Sequence, residues 1–86
     1  MDPERIRARR ERRQAFLQAL YDEVDGSVSD FVEGLQIGAG VGADDNEARR
    51  MITYFEEKGL LKVDDHKTGV IRITAAGVDM VETGIG

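Results

Sequence analysis

The stretch that decides the fold is residues 47–77, EARRMITYFEEKGLLKVDDHKTGVIRITAAG. Its first part carries apolar residues at positions i, i+3, i+4 and i+7, which predicts a helix with one buried side. These residues are Ala48, Met51, Ile52 and Phe55. Asp44 or Asp45 is placed to cap the start of this helix. Gly59 supplies the residue type that ends helices in the left-handed conformation, so the helix is expected to stop there.

A hairpin and a last helix are predicted after Gly59. Apolar and polar residues alternate over 61–64 and again over 71–74, as in strands with one buried face. The polar residues 64–69 form the turn between them. Thr74 is placed to cap a final helix, whose apolar residues are Val78, Met80 and Val81.

The chain upstream of this stretch begins with a further helix. Asp2-Pro3 is a typical helix start, and Asp25-Gly26 is a typical end. Apolar residues follow one helical face only in the second half, at Phe16, Leu17, Leu20, Tyr21 and Val24. We therefore expect this helix to dock by its second half and to leave its arginine-rich first half exposed.

Residues 27–42 are the least regular part of the sequence. Ser27-Val28 is long enough for a minimal strand, and Ser29 is placed to cap a second helix. That helix is expected to turn Phe31, Val32 and Leu35 inward. Gly34 would lie inside it and weaken it by about 1 kcal/mol relative to alanine. The glycine-rich residues 38–42 are expected to form a connecting loop.

Length and composition exclude several classes of site. Eighty-six residues are enough for one domain, and the chain has no cysteine and a single histidine, His66. The sequence therefore predicts neither a metal centre nor a cofactor. There is no apolar run near 18 residues and no apolar signal segment at the N-terminus, which favours a cytoplasmic protein without membrane association.

Charge is distributed unevenly along the chain. Residues 1–13 carry six arginines and three acids, whereas residues 14–86 carry six cations and fourteen acids. The arginine run could clamp a phosphate backbone, and its members at Arg5, Arg9, Arg12 and Arg13 are candidate contacts. Two alternatives remain open at this point. The run could be a solvated extension, or it could pair with its copy in a dimer.

The order of these elements resembles that of winged helix-turn-helix proteins. The match rests on residues 47–61, a helix with a charged end that leads through Gly-Leu-Leu into a hairpin, and on Ile73-Thr74-Ala75-Ala76-Gly77 after it. The resemblance covers residues 14–83, with residues 1–13 as a basic helical extension and 84–86 as a flexible tail. It implies a mostly α fold: a three-helix core, a small β-hairpin called the wing, and a C-terminal helix.

The resemblance also implies duplex DNA binding in transcriptional regulation, usually as a homodimer. The third helix would enter the major groove, and the wing would touch the DNA backbone. The residues at the matching positions are Asn46, Arg49, Arg50 and Tyr54 on the helix, and Lys67 and Arg72 at the wing.

Two observations keep a second function open. The first turn of the third helix carries Asp44, Asp45 and Glu47, which repel phosphates. Its arginines could also be neutralised locally, for example Arg50 by Glu47. The alternative is therefore a winged-helix module for protein interaction or dimerisation that does not bind nucleic acid. No acid–base pair or nucleophile with a partner base is evident, so we expect no enzyme.

Overall fold

The computed structural model describes residues 2–84 of the chain. In chain order these residues form α1 (Pro3–Val24), β1 (Val32–Glu33), α2 (Gly34–Gly40), α3 (Asp45–Glu57), β2 (Leu61–Asp65), β3 (Val70–Ile73) and α4 (Ala75–Thr83). The domain is thus mostly helical, with a small antiparallel sheet. Of the predicted tail 84–86, the last two residues lie outside the described residues.

The sheet places β3 in the centre, between β1 and β2. Leu61 pairs with Ile73 on one side, and Val32 pairs with Ile71 on the other. Leu61, Ile71 and Ile73 are almost fully buried, so one face of the sheet closes the core. The register shifts between Val63 and Asp65, just before the hairpin turns.

The helices cover this buried face of the sheet with apolar side chains. The predicted stripe on α1 is confirmed: Phe16, Leu17, Leu20 and Val24 are buried, and Tyr21 packs against them. On α3 the four predicted residues, Ala48, Met51, Ile52 and Phe55, are all buried. The rings of Phe16 and Phe55 stack with centroids 6.0 Å apart, which joins α1 to α3.

The predicted limits of α3 and the predicted start of α4 are also confirmed. Asp44 caps α3, since its Oδ1 accepts a hydrogen bond from the Glu47 backbone N–H at 2.8 Å. Gly59 has a φ of +76° directly after the helix, the left-handed conformation expected for it. Thr74 caps α4 through a 3.1 Å hydrogen bond from the Gly77 backbone N–H to its Oγ1.

The expectations for residues 27–42 were wrong in four respects. The strand lies at Val32–Glu33 rather than at Ser27-Val28, and the second helix is Gly34–Gly40 rather than a segment capped by Ser29. Phe31 is 60% exposed instead of turned inward. Residues 38–40 continue the helix instead of forming a loop.

Close packing of two glycines explains this difference. A Cβ on Gly34 would lie 2.7 Å from Cδ1 of Ile52 and 2.9 Å from the carbonyl oxygen of Gly69. A Cβ on Gly38 would lie 2.6 Å from that of Ala48. Both glycines are buried, so they let α2 approach α3 and the sheet closely. This packing outweighs the low helix propensity of glycine.

Candidate nucleic-acid interface

The solvent-facing side of α3 carries four of the residues predicted to contact DNA: Asn46, Arg49, Arg50 and Tyr54. Because the apolar residues of α3 turn toward the core, the opposite side is left to solvent. Its exposed residues are Asp45, Asn46, Arg49, Arg50, Thr53, Tyr54 and Glu57. This side lies between two other elements that carry cations, the first half of α1 and the hairpin turn (residues 66–69).

The N-terminal turn of α3 is less repulsive to anions than its sequence indicates. Glu47 accepts two contacts from Nη1 of Arg12, at 2.6 Å to Oε1 and 2.7 Å to Oε2. The partner of Glu47 is therefore Arg12 of α1 and not the neighbouring Arg50. Asp44 directs its carboxylate to the helix backbone as the N-cap. Of the three acids in this turn, two thus have partners, and Asp45 is exposed.

Three arginines of α1 share one helical face, and two of them, Arg9 and Arg13, lie beside α3. Arg5, Arg9 and Arg13 are spaced by four residues, which puts them on one face of α1. Arg5 and Arg9 are exposed, whereas Arg13 is half-buried. The guanidinium of Arg13 lies 4.4 Å from the centre of the Tyr54 ring, a cation–π contact that fixes α1 against α3.

A groove runs between the two helices and is here called the α1–α3 groove. It has a volume of about 440 Å³ and is lined by Arg9, Arg13, Glu47, Arg50, Met51 and Tyr54. Three of these residues are arginines, and the only carboxylate among them is that of Glu47, which is paired with Arg12. The groove is therefore a concentration of positive charge on an acidic protein.

Arg49, on the solvent-facing side of α3, connects this helix to the hairpin turn. Its Nη1 donates to the carbonyl oxygen of His66 at 2.9 Å, and its Nη2 donates to that of Lys67 at 3.0 Å. Nε2 of His66 also lies 3.5 Å from Oε2 of Glu56. These contacts hold the turn, including the exposed Lys67, beside the solvent-facing side of α3.

The hairpin turn has its own internal support. Oδ1 of Asp65 accepts from the backbone N–H of Lys67 at 2.9 Å and from that of Thr68 at 3.5 Å. The hydrogen bond from Lys67 lowers the pKa of the Asp65 carboxyl, and that from Thr68 adds to the effect. Gly69 takes a φ of +76° as the chain turns into β3. The Asp65 carboxylate is thus part of the turn itself.

Arg72 is not brought together with the other candidate residues. It stands between Ile71 and Ile73 on β3, whose side chains enter the core, so it projects from the opposite face of the sheet. Its guanidinium lies 5.9 Å from the Phe31 ring, and its Nη1 donates to the Val28 carbonyl oxygen at 3.4 Å. Arg72 therefore supports the loop before β1.

The outcome for the predicted site residues differs from one to the next. Asn46, Arg50 and Tyr54 lie on the exposed side of α3, and Arg5, Arg9 and Arg13 form the neighbouring row on α1. Arg12 and Arg49 have structural partners, and Arg72 lies elsewhere. The sequence carried no signal for the contact between Arg12 and Glu47, because 35 residues separate them.

No protein-family model, no curated protein and no solved structure matches this chain. Across residues 2–84, no helix combines the length and the apolar character needed to cross a membrane.

Proposed function

We propose that this domain is a winged-helix protein that binds duplex DNA, as a regulator of transcription, through the exposed side of α3. The observation that carries the proposal is the α1–α3 groove, where Arg9 and Arg13 of α1 meet Arg50 of α3. Guanidinium groups bind phosphates and guanine edges well because their planar N–H donors form paired hydrogen bonds. The ion pair of Glu47 with Arg12 removes the main repulsive charge from this groove.

Each residue has a distinct role in the proposed complex. Arg50 and Asn46 face the major groove, where arginine recognises guanine and asparagine recognises adenine. Arg5, Arg9 and Arg13 contact phosphates on one side of α3, and Lys67 contacts phosphates on the other. Tyr54 holds Arg13 in place and offers its exposed edge to a sugar.

Three of the candidate residues act indirectly or not at all. Arg12 neutralises Glu47 instead of contacting a phosphate, and Arg49 holds the hairpin turn next to α3. Arg72, on the outer face of the sheet, takes no part in the proposed interface. A two-fold dimer would place two copies of α3 on successive major grooves.

The test is binding of the full-length protein to random-sequence duplex DNA over a salt series, measured by fluorescence anisotropy. The wild type is compared with Arg9→Gln, Arg13→Gln and Arg50→Gln. Since Arg9 and Arg13 each contact a phosphate in the proposed complex, substitution of either one lowers the steepness of log K against log salt by about 0.9. Arg50→Gln removes a base contact and is expected to lower the affinity. Lys62→Gln is the matched control because it changes the net charge by the same amount. Lys62 lies opposite Arg72 in the strand register, on the outer face of the sheet and away from the α1–α3 groove.

Two results would contradict the proposal. One is the absence of salt-dependent binding by the wild type. The other is a loss of affinity in Lys62→Gln as large as that in Arg50→Gln, since binding would then follow net charge rather than the α1–α3 groove. Enrichment of a sequence from a random DNA pool would further separate base recognition by Arg50 and Asn46 from non-specific attraction.

A second candidate function is docking of a protein partner through the loop before β1. Phe31 is 60% exposed and Val28 is 40% exposed, and both lie beside Arg72. Exposed aromatic and apolar side chains next to an arginine are typical of protein interfaces. Light scattering gives the molar mass of the wild type and of Phe31→Ser in solution. If the chain self-associates through this loop, the wild type forms a larger species and the substitution restores the monomer.

A further inference from the structure

A second groove lies on the other side of Arg13 and Tyr54, between α1 and α4. It consists of two adjoining depressions with volumes of about 250 and 210 Å³. Both depressions are lined by Gln14, Leu17 and Met80, so they meet at these side chains. The two depressions together are here called the α1–α4 groove. Its joint size reaches the roughly 300–1,000 Å³ typical of sites for small molecules.

One end of the α1–α4 groove is cationic. Arg10, Arg13 and Lys58 line the larger depression, and no Asp or Glu of the described residues lines it. Arg13 and Lys58 both lie over the Tyr54 ring, at 4.4 and 5.6 Å from its centre. The larger depression thus carries three cations on a chain with a net charge of −5. This end is therefore suited to an anionic group.

The rest of the groove is apolar or uncharged. Its floor contains Leu17 and Leu60, which belong to the core, and the half-buried Met80. The smaller depression adds Val81 and, among the described residues, no charged side chain. Positive charge is thus confined to one end of an elongated apolar surface.

We propose that the α1–α4 groove binds an elongated amphiphilic carboxylate, with an anionic head and an unbranched apolar tail. The head lies among Arg10, Arg13 and Lys58, where charge-assisted hydrogen bonds are available. The tail lies along Leu17 and Met80 toward Val81, where its burial removes apolar surface from water. This binding site adjoins the α1–α3 groove, with which it shares Arg13 and Tyr54, but the proposal does not depend on the proposed function.

The test is a titration of the full-length protein with octanoate, followed by NMR of the methyl groups of Leu17, Leu60, Met80 and Val81. Octanamide, which has nearly the same shape without the charge, is expected to bind about tenfold more weakly, because a charge-assisted contact is lost. Butyrate tests the tail: each buried CH₂ contributes roughly fourfold in affinity, so the loss of four is expected to weaken binding at least tenfold.

Charge reversal at the cationic end gives a second, independent measurement. Arg10→Glu/Lys58→Glu alters two exposed residues that do not line the α1–α3 groove, and we expect it to weaken octanoate binding at least tenfold. The matched control is Arg7→Glu/Lys62→Glu, which makes the same change of net charge at exposed positions outside both grooves.

Several results would overturn the proposal. Equal binding of octanoate and octanamide would show that the cationic end recognises no anion. Equal octanoate affinity in the two double variants would show that the effect is one of net charge. A change of the four methyl signals with protein concentration, and none with octanoate, would show that a second copy of the chain covers the groove instead.

Discussion

Arg12 of α1 and Glu47 of α3 form an ion pair in which Nη1 lies 2.6 Å from Oε1, across 35 residues of sequence. The side chains are 38% and 20% exposed, respectively. The pair joins the basic half of α1 to the first turn of α3. It also determines the charge of the α1–α3 groove, since Glu47 is the carboxylate that lines it.

Breaking this pair is expected to have a small and salt-dependent effect on stability. In a double-mutant cycle of Arg12→Gln and Glu47→Gln, we expect a coupling free energy of about 0.5–1 kcal/mol, because half-exposed pairs are screened by water. The measurement is urea unfolding at low and high salt. Arg7→Gln, an exposed position on the same helix, is the control. A coupling that does not decrease with salt would contradict the electrostatic explanation.

Gly77 is expected to be among the least replaceable residues. A Cβ at this position would lie 2.1 Å from the carbonyl oxygen of Leu60 and 2.7 Å from Cγ1 of Ile73, so the backbone would have to move. We expect Gly77→Ala to lower the free energy of unfolding by about 3 kcal/mol. Gly40→Ala is the matched control, because a Cβ there meets no atom within 4 Å.

The control substitution, Gly40→Ala, is expected to raise the free energy of unfolding instead of lowering it. Gly40 ends α2, and alanine has the higher helix propensity, so we expect a gain of about 0.5 kcal/mol. Both values come from thermal or urea unfolding. If both variants lose a similar free energy of unfolding, the cost of Gly77→Ala does not come from the close approach of α4 to Leu60.

Arg49 is expected to order the hairpin turn through the shape of its guanidinium. It donates to two adjacent carbonyl oxygens, a geometry that the single ammonium of lysine does not reproduce. We expect Arg49→Lys to keep the charge but to accelerate amide hydrogen exchange at residues 66–69 severalfold, as measured by NMR. Arg50→Lys is the control. If amide exchange at residues 66–69 is unchanged in Arg49→Lys, the two hydrogen bonds of Arg49 do not order the hairpin turn.

The Asp65 carboxyl is expected to make stability depend on acid pH. Its folded-state pKa is lowered from 3.8, chiefly by the hydrogen bond from the Lys67 backbone N–H. A lowered pKa means that the folded state favours the ionised form. The contribution is therefore present above the unfolded pKa of 3.8 and is lost as pH falls through the folded value.

The measurement is urea unfolding of the wild type and of Asp65→Asn between pH 7 and pH 2. Asparagine keeps the accepting oxygen but lacks the charge, so the difference between the two proteins isolates the titration. We expect the wild type to be the more stable at neutral pH and the difference to shrink below about pH 4. A difference that stays constant over this range would exclude Asp65 as the titrating group.

The elements with local signals could be predicted from the sequence. The limits of α3 follow from the cap at Asp44 and the glycine at position 59, and its buried side follows from the apolar spacing. The same holds for the cap at Thr74 and for the stripe on α1. These signals are local because a cap, a left-handed glycine and a helical stripe each involve residues within one or two turns.

The region 27–42 could not be predicted because its structure depends on distant contacts. Gly34 is buried against Ile52 and Gly69, and Gly38 against Ala48. The low helix propensity of glycine predicts a weak helix or a loop at these positions. In the structure, the absence of a side chain allows the close packing of α2 against its neighbours. The pairing of Val32 with Ile71 likewise joins residues far apart in the sequence.

The sequence by itself determined which charged residues are available: the arginines of α1, the mixed charges of α3 and the polar hairpin turn. Only the tertiary structure decided what each of them contacts. Arg12 binds Glu47, Arg49 binds the hairpin turn and Arg72 binds the loop before β1. The physical reason is that arginine side chains are long and flexible, so their partners depend on which elements the apolar core brings within reach.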